Sequence, residues 1–291
     1  MIAEKQQPAC FEGIDWANES ERLGRCYLIE EGNELRLERK QPEGVRCLRT
    51  AVDCPFGTNA GFARLLMGEL PTITEDKFKS RATEIWIREC VEDYRIVERW
   101  QAQRKGKKKA TLPEKYKGVA AFLPTEHVQS TVSMVIIPEV LHWLGQQISP
   151  TGSVSDRQAH FSSARRGEGQ WVEAHPRMFL YSVLEKQSRT NPEAVDMETV
   201  YAAIKYKDSA ILREKLYAQI RSDKSWMGEH SRTINPEKLP EWLVTDHQFD
   251  AFLASLTAWA HERGLCETWE EAKLAKEIVD VEGHILVLRQ S

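Results

Sequence analysis

The sequence predicts an α/β protein in which a sheet is laid down first and helices are packed onto it. Three observations carry that expectation. Four strand-like segments open the chain, amphipathic stretches with helical periodicity follow, and two further strand-like segments are interleaved with the helices. The 291 residues are 41% hydrophobic, enough for one large domain or two small ones.

The first strand covers residues 10–17 and contains Phe11-Glu12-Gly13-Ile14-Asp15-Trp16-Ala17. Strand side chains alternate, so Ile14 and Trp16 face one side and Asp15 the other. A carboxylate in that place either caps a turn at the strand end or is held for chemistry at a desolvation cost. Gly24 to Glu30 and Leu35 to Arg39 form a hairpin about Glu31-Gly32-Asn33. Val45 to Asp53 is a fourth strand. Pro55 cannot continue a ladder, so Asp53 is left at the strand tip, as Asp15 is.

From Asn59 the pattern turns helical. A short helix is expected over Gly61 to Gly68 and a long one from Thr83 to about Gln103, with Ile85, Ile87, Val91 and Ile96 among its apolar positions. Arg81, Glu84 and Arg88 are spaced for one face at its start, and a solvated face is the plain reading. Gln129 to Gln147 is apolar enough for a buried helix, begun or kinked at Pro138. Ser149 to Gly169, rich in Ser, Gly and Arg, reads as an exposed loop. Gln170 to Pro176 is a fifth strand closed by proline, with Glu173 near its end and His175 beside it. Helices at 177–188, 196–206 and 208–222 form a helical layer. Thr245-Asp246 caps a helix from His247 to Arg263, whose core face carries Phe249, Phe252, Leu253, Leu256 and Trp259. Asp250 lies among those apolar residues. Glu282 to Leu288 is a last strand.

Net charge is −4, so bulk electrostatics do not announce a nucleic-acid binder. The segment Arg99 to Lys117 departs from that average, with eight basic residues against one acid, Glu114. Its centre, Lys105-Gly106-Lys107-Lys108-Lys109, is a loop that either holds phosphates or only keeps the chain soluble. Six cysteines are scattered without a CxxC pair or a zinc-type Cys/His cluster. With no signal peptide, they suit a reducing cytosol, so a cytoplasmic protein is expected. No apolar run approaches the roughly 20 residues of a membrane helix, and no membrane partner is expected.

Four acids thus stand at strand ends or on the last long helix: Asp15, Asp53, Glu173 and Asp250. Hard divalent cations, Mg²⁺ or Mn²⁺, take oxygen ligands, and two-metal phosphoryl-transfer sites hold a pair of ions ~3.5–4 Å apart in such a set. Asp246 reads as the N-cap of its helix, but one turn before Asp250 it could also reach the site and stand behind a ligand.

Six short motifs occur in order: Gly13-Ile14-Asp15-Trp16-Ala17, Val52-Asp53-Cys54-Pro55, Arg81-Ala82-Thr83-Glu84, Val172-Glu173-Ala174-His175-Pro176, His247-Gln248-Phe249-Asp250-Ala251 and Glu282-Gly283-His284-Ile285. Together they resemble the motif series of the domain-of-unknown-function 429 family, predicted nucleases of the ribonuclease H-like superfamily. The His247 to Ala251 piece is also similar to the last helix of Holliday-junction resolvases in that superfamily. The resemblance spans the chain from Gly13 to Ile285. It implies one ribonuclease H-like domain over residues 1–291 with a mixed five-stranded sheet of order 3-2-1-4-5. Helical insertions would fall at about 80–150, where the basic segment lies, and at about 177–240, where a protein partner could bind.

The same resemblance implies a metal-dependent nuclease acting on RNA or DNA. Asp15 would bridge the metals, Asp53 and Asp250 would complete the cluster, and Glu173 would be a ligand or stand behind one. Glu84 holds a position where the family often shows Asp. His247 and His175 would orient water or contact phosphate, or else be ordinary structural histidines. Arg81 and Arg88 would contact phosphate. The chain departs from the pattern between its third and fourth strands, where Lys40 to Gly44 is too short for the usual helix. Two other readings follow from the superfamily: a binding module with a weakened site, and an actin-like or sugar-kinase-type ATP-dependent phosphotransferase. The second needs glycine-rich phosphate loops, and none follows Asp15.

The basic loop yields a first prediction. Replacing Lys105, Lys107, Lys108 and Lys109 with Ala should weaken nucleic-acid binding and flatten its salt dependence, because fewer counterions are released. Binding isotherms over a range of salt concentrations read this directly, and an unchanged slope would make the loop a solvated linker.

Overall fold

A computed structural model describes residues 8–16, 23–54, 56, 82–105, 142–147 and 154–290. The opening strands are β1 (Ala9–Asp15), β2 (Gly24–Glu31), β3 (Glu34–Glu38) and β4 (Cys47–Asp53). β1 pairs antiparallel with β2, β2 antiparallel with β3, and β4 parallel with β1. No helix forms between β3 and β4, as the short connection requires. Two helices follow, α1 (Ala82–Glu92) and α2 (Arg95–Lys105), then α3 (Val154–Arg165) and β5 (Trp171–Ala174). After these come α4 (Pro176–Thr190), α5 (Met197–Lys205), α6 (Ala210–Ser222), β6 (Thr233–Asn235), α7 (Asp246–Glu262), α8 (Lys276–Glu282) and β7 (Ile285–Leu286). The result is a mixed seven-stranded sheet, order β6-β3-β2-β1-β4-β5-β7, flanked by helices. The resemblance implies five strands in the order 3-2-1-4-5 and the sequence a last strand at the chain's end, so the seven-stranded order differs from the implied one. β6 and β7 extend the two edges, each paired parallel with its neighbour.

The faces of the sheet are covered differently. α7 packs across β1, β2 and β4, and α4 packs on α7. The apolar stripe expected of α7 is fully buried, with Phe249, Phe252, Leu253, Leu256 and Trp259 all at 0% exposure. Its aromatics continue into neighbouring elements: Phe249 meets Tyr206, Phe252 meets Tyr217, and Trp259 meets Trp226 edge-on. On the opposite face Ile14, Val52, Cys54 and Phe56 pack with Leu144 and Ala164.

α7 lies unusually close to β1 because glycine stands at the crossing. A Cβ on Gly13 would fall 1.9 Å from the Ala251 carbonyl oxygen and 2.2 Å from the Ser255 nitrogen. Gly24 on β2 meets α7 in the same way, 2.2 Å from the His247 carbonyl oxygen. The helix contributes Ala251 and Ala254 at this contact, so small residues from both sides bring the backbones together.

Several expectations are corrected. The long helix over 83–103 is two helices with a break at Asp93-Tyr94. The buried Tyr94 donates its N–H back to Val91 O at 3.1 Å, and the carboxylate of Glu185 on α4 accepts the Ile96 N–H at the start of α2. A buried acid at a helix N-terminus is favourable, and it restarts the helix there. Ile85, expected in the core, is 40% exposed. The loop expected over 149–169 contains α3, since Phe161 and Ala164 pack against the sheet and Arg165 donates to Phe56 O. The last strand is only two residues long. The short helix over Gly61 to Gly68 and most of Gln129 to Gln147 lie outside the described residues, although residues 142–147 are helical. No helix among the described residues is long and apolar enough to cross a membrane.

The Gly13 contact predicts that Gly13→Ala destabilises the fold by about 3 kcal/mol, the upper range for an added methyl in a packed core, because backbone atoms rather than side chains must move. Urea unfolding of the variant beside the parent measures it. A loss below about 0.5 kcal/mol, the level of an ordinary surface change, would show that α7 can lift without penalty.

Candidate metal centre

β1 and β4 run parallel with Asp15 and Asp53 as direct partners, so both side chains leave the sheet on the same face. α7 crosses that face, and Asp250 lies one turn inside its N-terminus. Carboxylate oxygens of Asp15, Asp53 and Asp250 all lie within 4.8 Å of one another. It is the one group of three or more potential metal-ligating residues among the described residues. Asp15 and Asp250 are buried and Asp53 partly so.

Three acids this close, out of water, do not ionise freely. Burial, then the charge of Asp250, pushes the Asp15 carboxyl up to about 8, with Lys207 pulling the other way. Burial and the charges of Asp15 and Asp250 hold Asp53 well above the usual carboxylate range.

Asp250 is gripped on both oxygens. The Tyr206 hydroxyl donates to Oδ1 at 2.5 Å, and the Lys207 ammonium stands 2.6 Å from Oδ2. Burial alone would lower the Lys207 pKa, but Asp250, Asp53 and Asp15 together outweigh it and hold the ammonium above its ordinary value. The Arg177 guanidinium lies over the Tyr206 ring, 5.7 Å from its centroid. His247, in the first turn of α7, pairs through Nδ1 with Asp15 Oδ2.

Other expected site residues lie elsewhere. Glu173 is the register partner of Val52, so it leaves β5 on the face away from Asp53. There its Oε2 accepts the Phe56 N–H at 2.9 Å and braces the segment after β4. Asp246 is not the N-cap of α7. Thr245 is, accepting the Gln248 N–H at 3.2 Å, and Asp246 is the first helical residue, where its charge adds to the field on Asp15. His175 is the residue before α4, its backbone extended because Pro176 starts the helix. Glu84 sits in the first turn of α1. Arg81 and Lys107, Lys108 and Lys109 lie outside the described residues, as do the side chains of Arg88 and Lys105.

Sequence reasoning missed Tyr206, Lys207 and Arg177. Tyr206 and Lys207 follow α5 in a 3₁₀ turn, Tyr206–Asp208, more than forty residues before Asp250. No local pattern marks them, since an aromatic and a lysine at a helix end are ordinary.

The donor set fits a hard divalent ion. Three carboxylates offer oxygen and no sulfur, which suits Mg²⁺ or Mn²⁺ rather than a soft metal. Compared with protein-family models, with curated proteins and with solved structures, the chain gives no match.

The carboxyl shifts predict a pH dependence of the metal-free protein. An acid whose pKa is raised on folding binds its proton more tightly in the folded state, so stability falls as pH rises from the unfolded value near 4 to the folded value near 8. Each unit is worth about 1.4 kcal/mol, so the fall amounts to a few kcal/mol. In EDTA the melting temperature should drop between pH 5 and pH 8, and Asp15→Asn should flatten the drop. Parallel curves for variant and parent would mean that Asp15 titrates normally.

Proposed function

We propose that this chain is a divalent-metal-dependent phosphodiester hydrolase acting on nucleic acid, with Asp15, Asp53 and Asp250 holding Mg²⁺ or Mn²⁺. One observation carries the reading: carboxylates from two adjacent parallel strand tips and one crossing helix converge within 4.8 Å. The inner run of the sheet, β3-β2-β1-β4-β5 with β2 antiparallel to its neighbours, supports it. Those five neighbours are compatible with the order the resemblance implies, with Asp15 on β1, although β6 and β7 make the whole sheet different. The basic segment from Arg99 to Lys117 supports a polyanionic substrate. Six free cysteines suit a reducing compartment, so we place the protein in the cytoplasm.

The residues would share the work as follows. A divalent ion, when bound, polarises a phosphoryl oxygen and lowers the pKa of water. Asp15 and Asp53 on the sheet and Asp250 on α7 would hold it. His247 fixes the Asp15 carboxylate through Nδ1 and keeps part of its ring open to solvent, at the mouth of the site. Tyr206, fully buried, fixes the rotamer of Asp250 through Oδ1. Glu173 acts one step away, by holding the chain that leaves the Asp53 strand tip.

A second reading has its own observation. Lys207 already neutralises Asp250, which is what a nucleic-acid or protein binding module with a weakened site would show.

Assays on single-stranded RNA, duplex DNA and a four-way junction, with Mn²⁺, Mg²⁺ or EDTA, separate the two. Cleavage should require the metal, and Asp15→Asn, Asp53→Asn and Asp250→Asn should each lose more than about a hundredfold, beyond what removing a group behind a ligand costs. All three should also lose Mn²⁺-induced thermal stabilisation, whereas Glu173→Gln and Asp246→Ser should keep it. Full cleavage in EDTA, or by the Asp variants, would refute the hydrolase. Binding without cleavage would favour the module.

A further inference from the structure

Lys207 is more firmly built into the acidic group than a surface lysine needs to be. Its turn, Tyr206–Asp208, is held by Arg213 of α6, a buried side chain. The Arg213 guanidinium donates through Nη1 to the carbonyls of Tyr206 and Lys207, at 2.5 and 3.1 Å. Through Nε it donates to Val244 O at 2.7 Å, just before α7 begins. One cation thus ties the backbone of Lys207 to the helix that carries Asp250. Consecutive residues, Tyr206 and Lys207, then take the two oxygens of the same carboxylate. The ammonium also acts on Asp53 and Asp15, so it serves the whole group and not one partner.

We propose that Lys207 stands in the place of a second metal ion, so that the group binds one divalent cation and not two. This rests on reading the group as a metal centre. Charge decides it. Within the group itself, three carboxylates with one ammonium leave two negative charges, which a single divalent ion balances, while Asp246 adds its field from outside the group. A second ion would put surplus positive charge beside a fixed ammonium in a partly buried site, where such repulsion is little screened. To admit it, the Lys207 ammonium would have to leave Asp250; the anchored turn keeps the root of that side chain beside the group, although the side chain itself is 42% exposed. An ammonium is a compact point charge with three donors. Beside an ion held there, its ammonium would neutralise charge developing on a phosphate oxygen, the task a second metal performs elsewhere.

Mn²⁺ titration of the full-length chain tests this, by calorimetry for stoichiometry and by electron paramagnetic resonance for spin coupling between neighbouring ions. The parent should bind one Mn²⁺ with an uncoupled spectrum. Lys207→Gln, checked by its melting curve, should bind two, with a coupled spectrum. Lys207→Arg keeps the charge and should stay at one. Two ions in the parent would overturn the proposal while leaving the metal centre standing, as would one ion in Lys207→Gln with unchanged affinity. No Mn²⁺ bound by parent or variants would remove the metal centre itself, and the proposal with it. Should Lys207→Gln fail to fold, the parent and Lys207→Arg titrations still decide the stoichiometry.

Discussion

Gly13 and Ala251 meet backbone to backbone, and the position of α7 follows from that contact. With any side chain on Gly13, the helix would stand further from the sheet. Asp250 would rise with it, away from Asp15 and Asp53. Gly24 repeats the approach on β2, at the end of α7 where His247 reaches Asp15. Burial of Phe249, Phe252 and Trp259 drives the docking, on the order of 1.5–3 kcal/mol for each large side chain. The hydrophobic effect is not directional, however. The glycines fix the distance at which that energy is collected, and the distance is what makes three carboxylates one group.

A buried acidic group of this kind is an electrostatic problem that the fold answers with cations. Glu30 shows the structural answer: Arg232 and Arg263 both reach it, and nothing is left for a ligand. At Asp15, Asp53 and Asp250 the answer is partial. One lysine faces three carboxylates, and two of those carboxyls retain protons far above their ordinary range. The acid at Glu30 is fully compensated and the group at Asp15 only partly, and that residual charge is what the proposed metal centre would require.

Much of this was legible in the sequence where the signal is local. The alternation about Ile14 and Trp16, and Pro55 after β4, put Asp15 and Asp53 at strand tips. The period of α7 put Asp250 on a packed helix. What could not be read depends on partners distant in the chain. The break at Tyr94 rests on Glu185, about ninety residues away. α3 looks like a polar loop until Phe161 and Ala164 find the sheet. β6 is three residues added to an edge, too short for a pattern. Lys207 carries no mark of its role, because Arg213 and Asp250 create that role from other elements.

Glu173 shows the limit most sharply. Its place at a strand end is the same signal that identifies Asp15 and Asp53, yet the face it occupies depends on register, which only pairing decides. Opposite Val52, it belongs to the face of Ile14 and Phe56. There Glu173 accepts the Phe56 N–H while Arg165 donates to the Phe56 carbonyl, so one residue beyond Pro55 is held from both sides. Phe56 is itself fully buried, so this segment cannot relax toward solvent. The tip of β4 is therefore fixed from the face that carries no part of the acidic group. Asp53 needs that restraint, because any ionisation of the group sets its carboxylates against one another, and repulsion would then push the strand tips apart.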